Sequence, residues 1–146
     1  WWKRRRKEIK SSNIQFHYRG TNLPSNYIIL SAILKGTVSN KDLIIKKQEE
    51  LIQKKKKSQP SQIKTGGSTF KNSNKKKAWM LIKESGCEKF RVGDAKISEK
   101  HCNFFINSGK AKASDVEKLI NKVQKEVKAK TGIDLELEIK IIGNEN

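Results

Sequence analysis

The eight-residue stretch Thr65–Asn72 carries the residue types best suited to chemistry in this sequence. Two adjacent glycines precede Ser68, and glycine accepts the positive φ angles and close ligand approach that other residues resist. A cation and an amide follow at Lys71 and Asn72, and both side chains suit phosphate or carboxylate oxygens. Because most Gly-Ser loops are simple turns, the function of this one depends on the elements around it.

The composition limits the kinds of protein that this chain can be. Its 146 residues suffice for one ordinary domain, and with 34% apolar and 33% charged residues the core is thin. The formal net charge of +18, from 33 basic and 15 acidic residues, favours contact with nucleic acid, membrane phosphates or anionic small molecules. Most of the excess is lysine, which recognises bases poorly, so nucleic acid is not the expected partner.

Neither the cysteines nor the apolar runs indicate a metal site or a membrane protein. Cys87 and Cys102 stand in no CxxC pattern and at no zinc-ligand spacing, so we predict no metal and free thiols in a reducing cytoplasm. The longest apolar run, Tyr27–Leu34, is far shorter than the roughly 20 residues that span a bilayer. The basic run Lys3–Lys7 precedes no apolar segment and is not a signal peptide. We therefore predict a cytoplasmic protein without a membrane partner.

The first third of the chain predicts a basic tail and two strands. Residues 1–12 show no periodicity, and we predict a solvated, disordered tail there. Polar and apolar residues alternate over Ile14–Tyr18, a pattern typical of a short strand. The Ile- and Leu-rich run Tyr27–Leu34 predicts a buried strand.

A helix is predicted from near Asn40 to about Lys56, with Ser39 and Asp42 forming its capping box. The cluster Lys54–Lys57 lies at the negative end of the helix dipole, which explains these lysines as well as nucleic-acid contact would. The apolar stripe of this helix consists of Leu43, Ile44, Leu51 and Ile52.

The composition of Ser58–Ser61 predicts a linker and a domain boundary. After the Gly-Ser loop, a helix is predicted around Ala78–Ser85, ended by Gly86. A turn-rich segment is expected over Cys87–Lys100, followed by a short strand at Asn103–Asn107.

The last forty residues predict a helix and a strand. Ser114 and Glu117 form a capping box, and Thr131-Gly132 ends the helix, whose apolar positions are Val116, Leu119, Ile120, Val123 and Val127. The final strand alternates, with Ile133, Leu135, Leu137, Ile139 and Ile141 on one face and Asp134, Glu136, Glu138 and Lys140 on the other. Strands and helices follow one another without a regular βαβ rhythm, so the predicted fold class is α+β.

Several motifs occur in an order that points to one family. They are Tyr18-Arg19-Gly20-Thr21, Gln59-Pro60, Gly67–Asn72, Ala78–Ile82, Gly86-Cys87, Ser98–Phe104, Asn107-Ser108-Gly109 with Ala113, and Leu135–Ile139. The chain resembles UDP-N-acetylenolpyruvoylglucosamine reductases (UDP-N-acetylmuramate dehydrogenases) over these motifs, from about Gln15 to Gly143. It departs from the family at Ser73, where proline is usual, and at Thr21, where serine is usual.

The resemblance implies a reaction and a set of site residues. In that family NADPH reduces a bound FAD, which then reduces the enolpyruvyl group of UDP-N-acetylglucosamine enolpyruvate during peptidoglycan precursor synthesis. It implies that Ser68 donates a proton and that Arg19 and Glu138 polarise the substrate carboxylate. On spacing alone, Glu136 and Glu138 are equivalent. The implied substrate contacts are Tyr18, Lys71 and Asn72.

The resemblance also implies a division of the chain. Residues 13–57 correspond to the end of the FAD-binding domain, with its last strand and helix, and residues 58–146 to the C-terminal substrate-binding domain. The Gly-rich loops that bind the FAD pyrophosphate in the family have no counterpart ahead of Gln15. We therefore expect the chain alone to bind no FAD stably and to be inactive, unless a separately encoded N-terminal half complements it.

Two other functions remain open on the sequence. The +18 charge and the runs Lys54–Lys57 and Lys75–Lys77 would suit a small basic module that binds RNA or another polyanion, although no RNA-recognition signature accompanies them. The surviving half of a reductase site would also permit a non-catalytic UDP-sugar binder.

Overall fold

The computed structural model describes residues 5–143, so the first four residues of the predicted tail lie outside the described part. The chain divides into two compact units, Trp1–Ser39 and Asn40–Asn146. Among the described residues, no helix combines the length and the apolarity needed to cross a membrane.

In the first unit, a single 3₁₀ turn at Ser11–Asn13 precedes a small hairpin. Strand β1 (Phe16–His17) pairs antiparallel with β2 (Gly20–Thr21), and Arg19 in the turn has a φ of 58°. A Cβ atom at position 20 would lie 2.3 Å from the imidazole Nε2 of the paired histidine, so any larger residue there would displace that exposed side chain. The first predicted strand is therefore confirmed only over the two residues of β1.

The segment Tyr27–Leu34 is not a strand, so that prediction is wrong. It forms no regular element, and its large apolar side chains are mostly exposed: Ile28, Ile29, Leu30, Ile33 and Leu34. A strand needs partners outside itself for its backbone N–H and C=O groups, and none of the described strands pairs with this segment.

The second unit begins with helix α1 (Lys41–Ser58), which confirms the predicted helix. Its cap is Asn40 rather than Ser39, because the Asn40 side-chain oxygen accepts hydrogen bonds from the backbone N–H groups of Asp42 at 2.8 Å and Leu43 at 3.4 Å. None of the residues in α1 is buried. The predicted apolar stripe is thus present in the sequence but packs against nothing that would bury it.

A four-stranded antiparallel sheet forms the centre of the second unit, in the order β3-β6-β5-β4. The predicted strand at Asn103–Asn107 is confirmed as part of β6. The predicted turn-rich segment is partly wrong, because it contains β4 and β5; their short length and mixed composition hid them. The strands are β3 (Lys64–Ser68), β4 (Arg91–Val92), β5 (Ala95–Ser98) and β6 (His101–Asn107).

Two helices pack on this sheet and on each other, α2 (Ala78–Glu84) and α3 (Ala113–Thr131), and both were predicted. The expected cap of α3 is wrong: Asp115, not Ser114, makes the capping contact, since its carboxylate accepts a hydrogen bond from the Lys112 backbone N–H at 2.9 Å. The core between helices and sheet includes Leu81, Ile82, Ile97, Phe105, Leu119, Ile120, Val123 and Val127. This arrangement confirms the α+β class.

The C-terminal segment has the predicted alternation but not a regular strand. Leu135 is buried, three further apolar residues of that face pack against the core, and Ile141 is exposed. Pairing is limited to one antiparallel bridge between Leu137 and Phe70. The segment therefore lies along the residues that follow Ser68, which makes it part of the candidate site.

Candidate functional site

Ser68 ends β3, directly after a bulge formed by the two glycines. Thr65 pairs with Ile106 and Ser68 with Phe104, so β3 advances three residues while β6 advances two. Gly67 has a φ of 87°, and its N–H donates to the Thr65 hydroxyl at 3.2 Å. A bulge redirects the side chains beside it. The glycines thus set the position of Ser68 from within a strand rather than in a free loop.

Asn103 fixes the two residues that follow Ser68. Its side-chain oxygen accepts from the Phe70 N–H at 3.0 Å, and its amide NH₂ donates to the Phe70 carbonyl at 2.8 Å. Its own backbone carbonyl accepts from the Thr69 N–H at 2.8 Å. All three residues are buried, so these bonds satisfy backbone groups that lie beyond the last β3–β6 pair, Ser68–Phe104.

The sequence places Asn103 in the motif Ser98–Phe104 and at the start of a predicted strand, without assigning it a role. The available signal was an amide directly before the apolar run Phe104–Ile106. A buried amide needs several partners, so its presence there indicates a structural hydrogen-bonding role.

Backbone pairing places Glu138 opposite Thr69, the neighbour of Ser68. The backbone carbonyl of Thr69, the residue after Ser68, accepts a hydrogen bond from the Glu138 N–H at 2.9 Å. Next to it, Phe70 and Leu137 form the antiparallel bridge. A serine and a glutamate that are seventy residues apart in sequence therefore belong to two neighbouring backbone segments.

The structure distinguishes the two glutamates that spacing left equivalent. The Glu136 carboxylate forms an ion pair with the ammonium of Lys71, and the Glu136 side chain is 73% exposed. Glu138 is half-buried. A partly exposed ion pair contributes little to stability, so Lys71 can exchange Glu136 for another anion at low cost.

Asn72 and Ser73 shape the loop between Lys71 and α2. The side-chain oxygen of Asn72 accepts from the N–H of Ala78, the first residue of α2, at 3.0 Å. The Ser73 hydroxyl donates to the Lys76 carbonyl at 2.8 Å and accepts from the Lys76 N–H at 2.9 Å. The serine that departs from the family pattern therefore closes this loop with its own hydroxyl.

Arg19 and Tyr18 lie in the first unit, in the turn of the β1–β2 hairpin. The Arg19 guanidinium carbon is 5.1 Å from the centre of the Tyr18 ring, a cation–π contact. Both residues are exposed. Of the predicted site residues, Ser68, Lys71, Asn72 and Glu138 are held in the second unit.

His101 contacts two of its neighbours in β6, Asn103 and Phe104. Its Nδ1 atom accepts a hydrogen bond from the Asn103 N–H at 3.2 Å, and its ring meets the Phe104 ring edge-on at 4.9 Å. Burial lowers the pKa of His101, which favours the neutral ring that such an acceptor requires. These contacts give this histidine a structural role beside Asn103.

The cysteines have no catalytic environment. Burial, with Glu126 nearby, raises the pKa of Cys87 to about 11, and burial raises the pKa of Cys102 as well. A raised pKa suppresses the thiolate, which is the reactive form. Over residues 5–143, no group of three or more His, Cys, Asp or Glu side chains is arranged to hold a metal ion.

Comparison with known proteins matches most of this chain to one family. A family described as UDP-N-acetylenolpyruvoylglucosamine reductase, C-terminal domain, matches residues 59–142. A reductase of that name from Pelagibacter ubique is 49% identical over 137 residues, covering 92% of this chain and 45% of the relative. The one from Wolbachia pipientis wMel is 44% identical, covering 94% and 46%.

A solved structure shows the same fold. The crystal structure of UDP-N-acetylenolpyruvylglucosamine reductase from Thermus caldophilus aligns with a TM-score of 0.74 at 37% identity, covering 88% of this chain and 46% of that one. The chain therefore spans about half the length of the relatives that it matches.

Proposed function

Because the chain belongs to the UDP-N-acetylenolpyruvoylglucosamine reductase family, we propose that it supplies the substrate-binding part of such an oxidoreductase in the cytoplasm. The reaction is reduction of UDP-N-acetylglucosamine enolpyruvate to UDP-N-acetylmuramate for peptidoglycan synthesis. FAD and NADPH provide the reducing equivalents, and residues outside this chain hold them. We assign residues 58–146 to the substrate domain, an assignment that the matched range 59–142 supports, and residues 13–57 to the end of the FAD-binding domain.

The proposed roles follow from where charge develops in the substrate. Reduction at one alkene carbon leaves negative charge that spreads into the neighbouring carboxylate, and the other carbon then takes a proton. Ser68 donates that proton. Arg19 and Glu138 polarise the carboxylate, while Tyr18, Lys71 and Asn72 contact the rest of the substrate.

One observation carries this proposal: the hydrogen bond from the Glu138 N–H to the carbonyl of Thr69, the neighbour of Ser68. It supports a shared site for a proton donor and a carboxylate that the sequence separates widely. The half-burial of Glu138 supports it further, because the side chain of Glu136, the alternative, is 73% exposed.

The described residues do not fit a flavin pyrophosphate. The adjacent glycines of this chain, Gly66 and Gly67, form a bulge inside a strand and do not open onto the N-terminus of a helix. We therefore assign no step of the reduction to a flavin held by this chain. Adding FAD, NADPH and substrate to the purified chain is expected to give no product, and product formation would overturn this part of the proposal.

Substrate binding is tested by thermal stabilisation without flavin. UDP-N-acetylglucosamine enolpyruvate is expected to raise the Tm, because a ligand that binds only the folded state stabilises it, by about 2.7 kcal/mol at a hundredfold excess over Kd. Lys71→Met should lose most of the Tm shift, and Lys75→Met, in the same loop, should keep it. If the Tm of the unmodified chain does not rise at the highest soluble concentration of the UDP-sugar, the proposed substrate site is contradicted.

A further inference from the structure

The two segments that carry the candidate site place Lys71 and Glu136 directly across from each other. Phe70 and Leu137 form the antiparallel bridge, and beside it the Lys71 N–H donates to the Glu136 carbonyl at 2.8 Å. The ammonium of Lys71 and the carboxylate of Glu136 also form an ion pair. Glu136 therefore contacts Lys71 through both its main chain and its side chain.

The position of Lys71 does not depend on this ion pair. The Lys71 side chain is 31% exposed, so most of its surface is in contact with the protein. Asn103 binds both backbone groups of Phe70, which fixes the residue directly before Lys71. A cation held in this way gains little from an exposed carboxylate such as that of Glu136. The carboxylate therefore adds little to the preorganisation of Lys71 for a ligand.

The carboxylate of Glu136 does change the charge that an incoming anion meets. Lys71 and Glu136 are neighbours across the pairing of their segments, and side chains at such positions interact. An anionic ligand that binds the Lys71 ammonium must first take the place of this carboxylate. The exchange costs binding free energy, and that cost disappears when the side chain at position 136 is neutral.

We propose that Glu136 is an internal competitor for Lys71. Its carboxylate occupies the ammonium in the free chain and is displaced by an anionic group of the UDP-sugar. A net charge of +18 attracts anions of every kind, and the bound carboxylate excludes weakly binding monoanions from Lys71. The inference rests on the proposed function, in which Lys71 contacts the substrate, and it makes Glu136 a residue that determines specificity.

The variant Glu136→Gln tests the competition, because it removes the charge and keeps the backbone hydrogen bond to Lys71. The affinity of the full chain for UDP-N-acetylglucosamine enolpyruvate is measured by NMR titration of the backbone amides. In Glu136→Gln this affinity is expected to rise about two- to fivefold, the range that an exposed ion pair supplies. An unchanged or weaker affinity overturns the inference.

Asp134→Asn is the matched control for net charge. Asp134 lies on the same face of the same segment, its side chain is 75% exposed, and its carboxylate pairs with Lys128 at 2.8 Å. The substitution changes the net charge by the same amount without removing the partner of Lys71. Its affinity for the UDP-sugar should stay close to that of the unmodified chain. A rise equal to that of Glu136→Gln would assign the gain to net charge and overturn the inference.

A double-mutant cycle tests whether the gain acts through Lys71. In the Lys71→Met background, Glu136→Gln is expected to leave the affinity unchanged, because no ammonium remains for the carboxylate to occupy. The same gain in that background would show that Glu136 repels the ligand directly, and the competition for Lys71 would be overturned.

Acetate, a monoanion with the same charged group as Glu136, tests the effect on specificity. The amide signal of Lys71 should respond to acetate at lower concentrations in Glu136→Gln than in the unmodified chain. The same response in both chains would overturn the exclusion of monoanions.

The outcomes separate this inference from the proposed function. If neither the unmodified chain nor Glu136→Gln binds the UDP-sugar, the proposed substrate site fails, and the inference fails with it. If both bind the UDP-sugar with equal affinity, the substrate site stands and only the role of Glu136 as a competitor is overturned.

Discussion

At the level of single residues, Asn103 supplies partners for the backbone of Phe70, which lies just beyond the end of β3. Its amide binds both the N–H and the carbonyl of Phe70, at 3.0 and 2.8 Å. Leaving a buried polar group without a partner costs more than the bond itself contributes. The position of the residues after Ser68 therefore depends on one side chain from the middle of β6.

Asn103→Leu, which nearly preserves the volume, is expected to lower the free energy of unfolding by about 2–6 kcal/mol. The reason is that two buried groups of Phe70 lose their partners, at about 1–3 kcal/mol each. Urea unfolding followed by circular dichroism measures the change. Asn74→Ala, at an exposed loop position, is the control and should change stability by less than about 0.5 kcal/mol. An equally small effect of Asn103→Leu would contradict the assigned role.

His101 is expected to make the stability depend on pH. Burial lowers its pKa, so the unfolded chain binds a proton more readily than the folded one. The contribution of His101 to the free energy of unfolding is complete above the ordinary histidine pKa of about 6.5. It is lost as the pH falls through the lowered pKa of the folded chain.

Unfolding free energies at about pH 7.5 and 5.5 should therefore differ more in the unmodified chain than in His101→Gln. The exposed His17 supplies the control, since His17→Gln should leave the pH dependence in place. If His101→Gln kept the full pH dependence, another group would have to account for it.

At the level of elements, α1 and α3 carry similar apolar stripes with different outcomes. Leu119, Ile120, Val123 and Val127 of α3 are buried against the sheet, whereas no residue of α1 is buried. Helices of this length gain most of their stability from a packed face. The stripe of α1 is therefore a surface of the isolated chain, held in helical form by its Asn40 cap and its own backbone hydrogen bonds.

The same substitution in the two helices should have different costs. Leu119→Ala is expected to lower the free energy of unfolding by about 2–5 kcal/mol, because it opens a cavity in the core. Leu51→Ala removes a side chain that is 55% exposed and should cost less than about 0.5 kcal/mol. Chemical denaturation measures the free energy of unfolding of both variants. A loss for Leu51→Ala close to that for Leu119→Ala would show that α1 is packed in solution.

At the level of the whole molecule, the net charge of +18 acts on encounters rather than on the fold. The cluster Lys54–Lys57 lies at the C-terminal end of α1, and the Lys100 ammonium donates to the Lys56 carbonyl there. Cations at this end of a helix are stabilised by its dipole. The charges of Lys54–Lys57 therefore have a local structural role that requires no nucleic-acid partner.

Binding to RNA is expected to be nonspecific and to disappear with salt. If 6–10 phosphates are contacted, affinity should fall by about 10³-fold or more between about 50 and 200 mM salt, because counterion release drives the association. Filter binding across this range measures the slope. Sequence-selective retention at physiological salt would instead favour the polyanion-binding function.

The sequence alone determined the parts of this protein that local rules govern. The helices α1, α2 and α3, the strand at the centre of β6 and the family were predictable, because apolar periodicity, the glycines that end helices and ordered motifs are local signals. Tertiary structure decided the rest. Whether Tyr27–Leu34 becomes a strand depends on a neighbour that local signals cannot supply.

The two glutamates of the candidate site show the same division between what local sequence predicts and what tertiary structure decides. Alternation placed Glu136 and Glu138 on one face, and only the pairing of their segment with Thr69–Lys71 separated an exposed glutamate from a half-buried one. The role of Asn103 and the bulge at the glycines also depend on contacts between distant parts of the chain. Such contacts are set by the packing of whole elements, which no short stretch of sequence encodes.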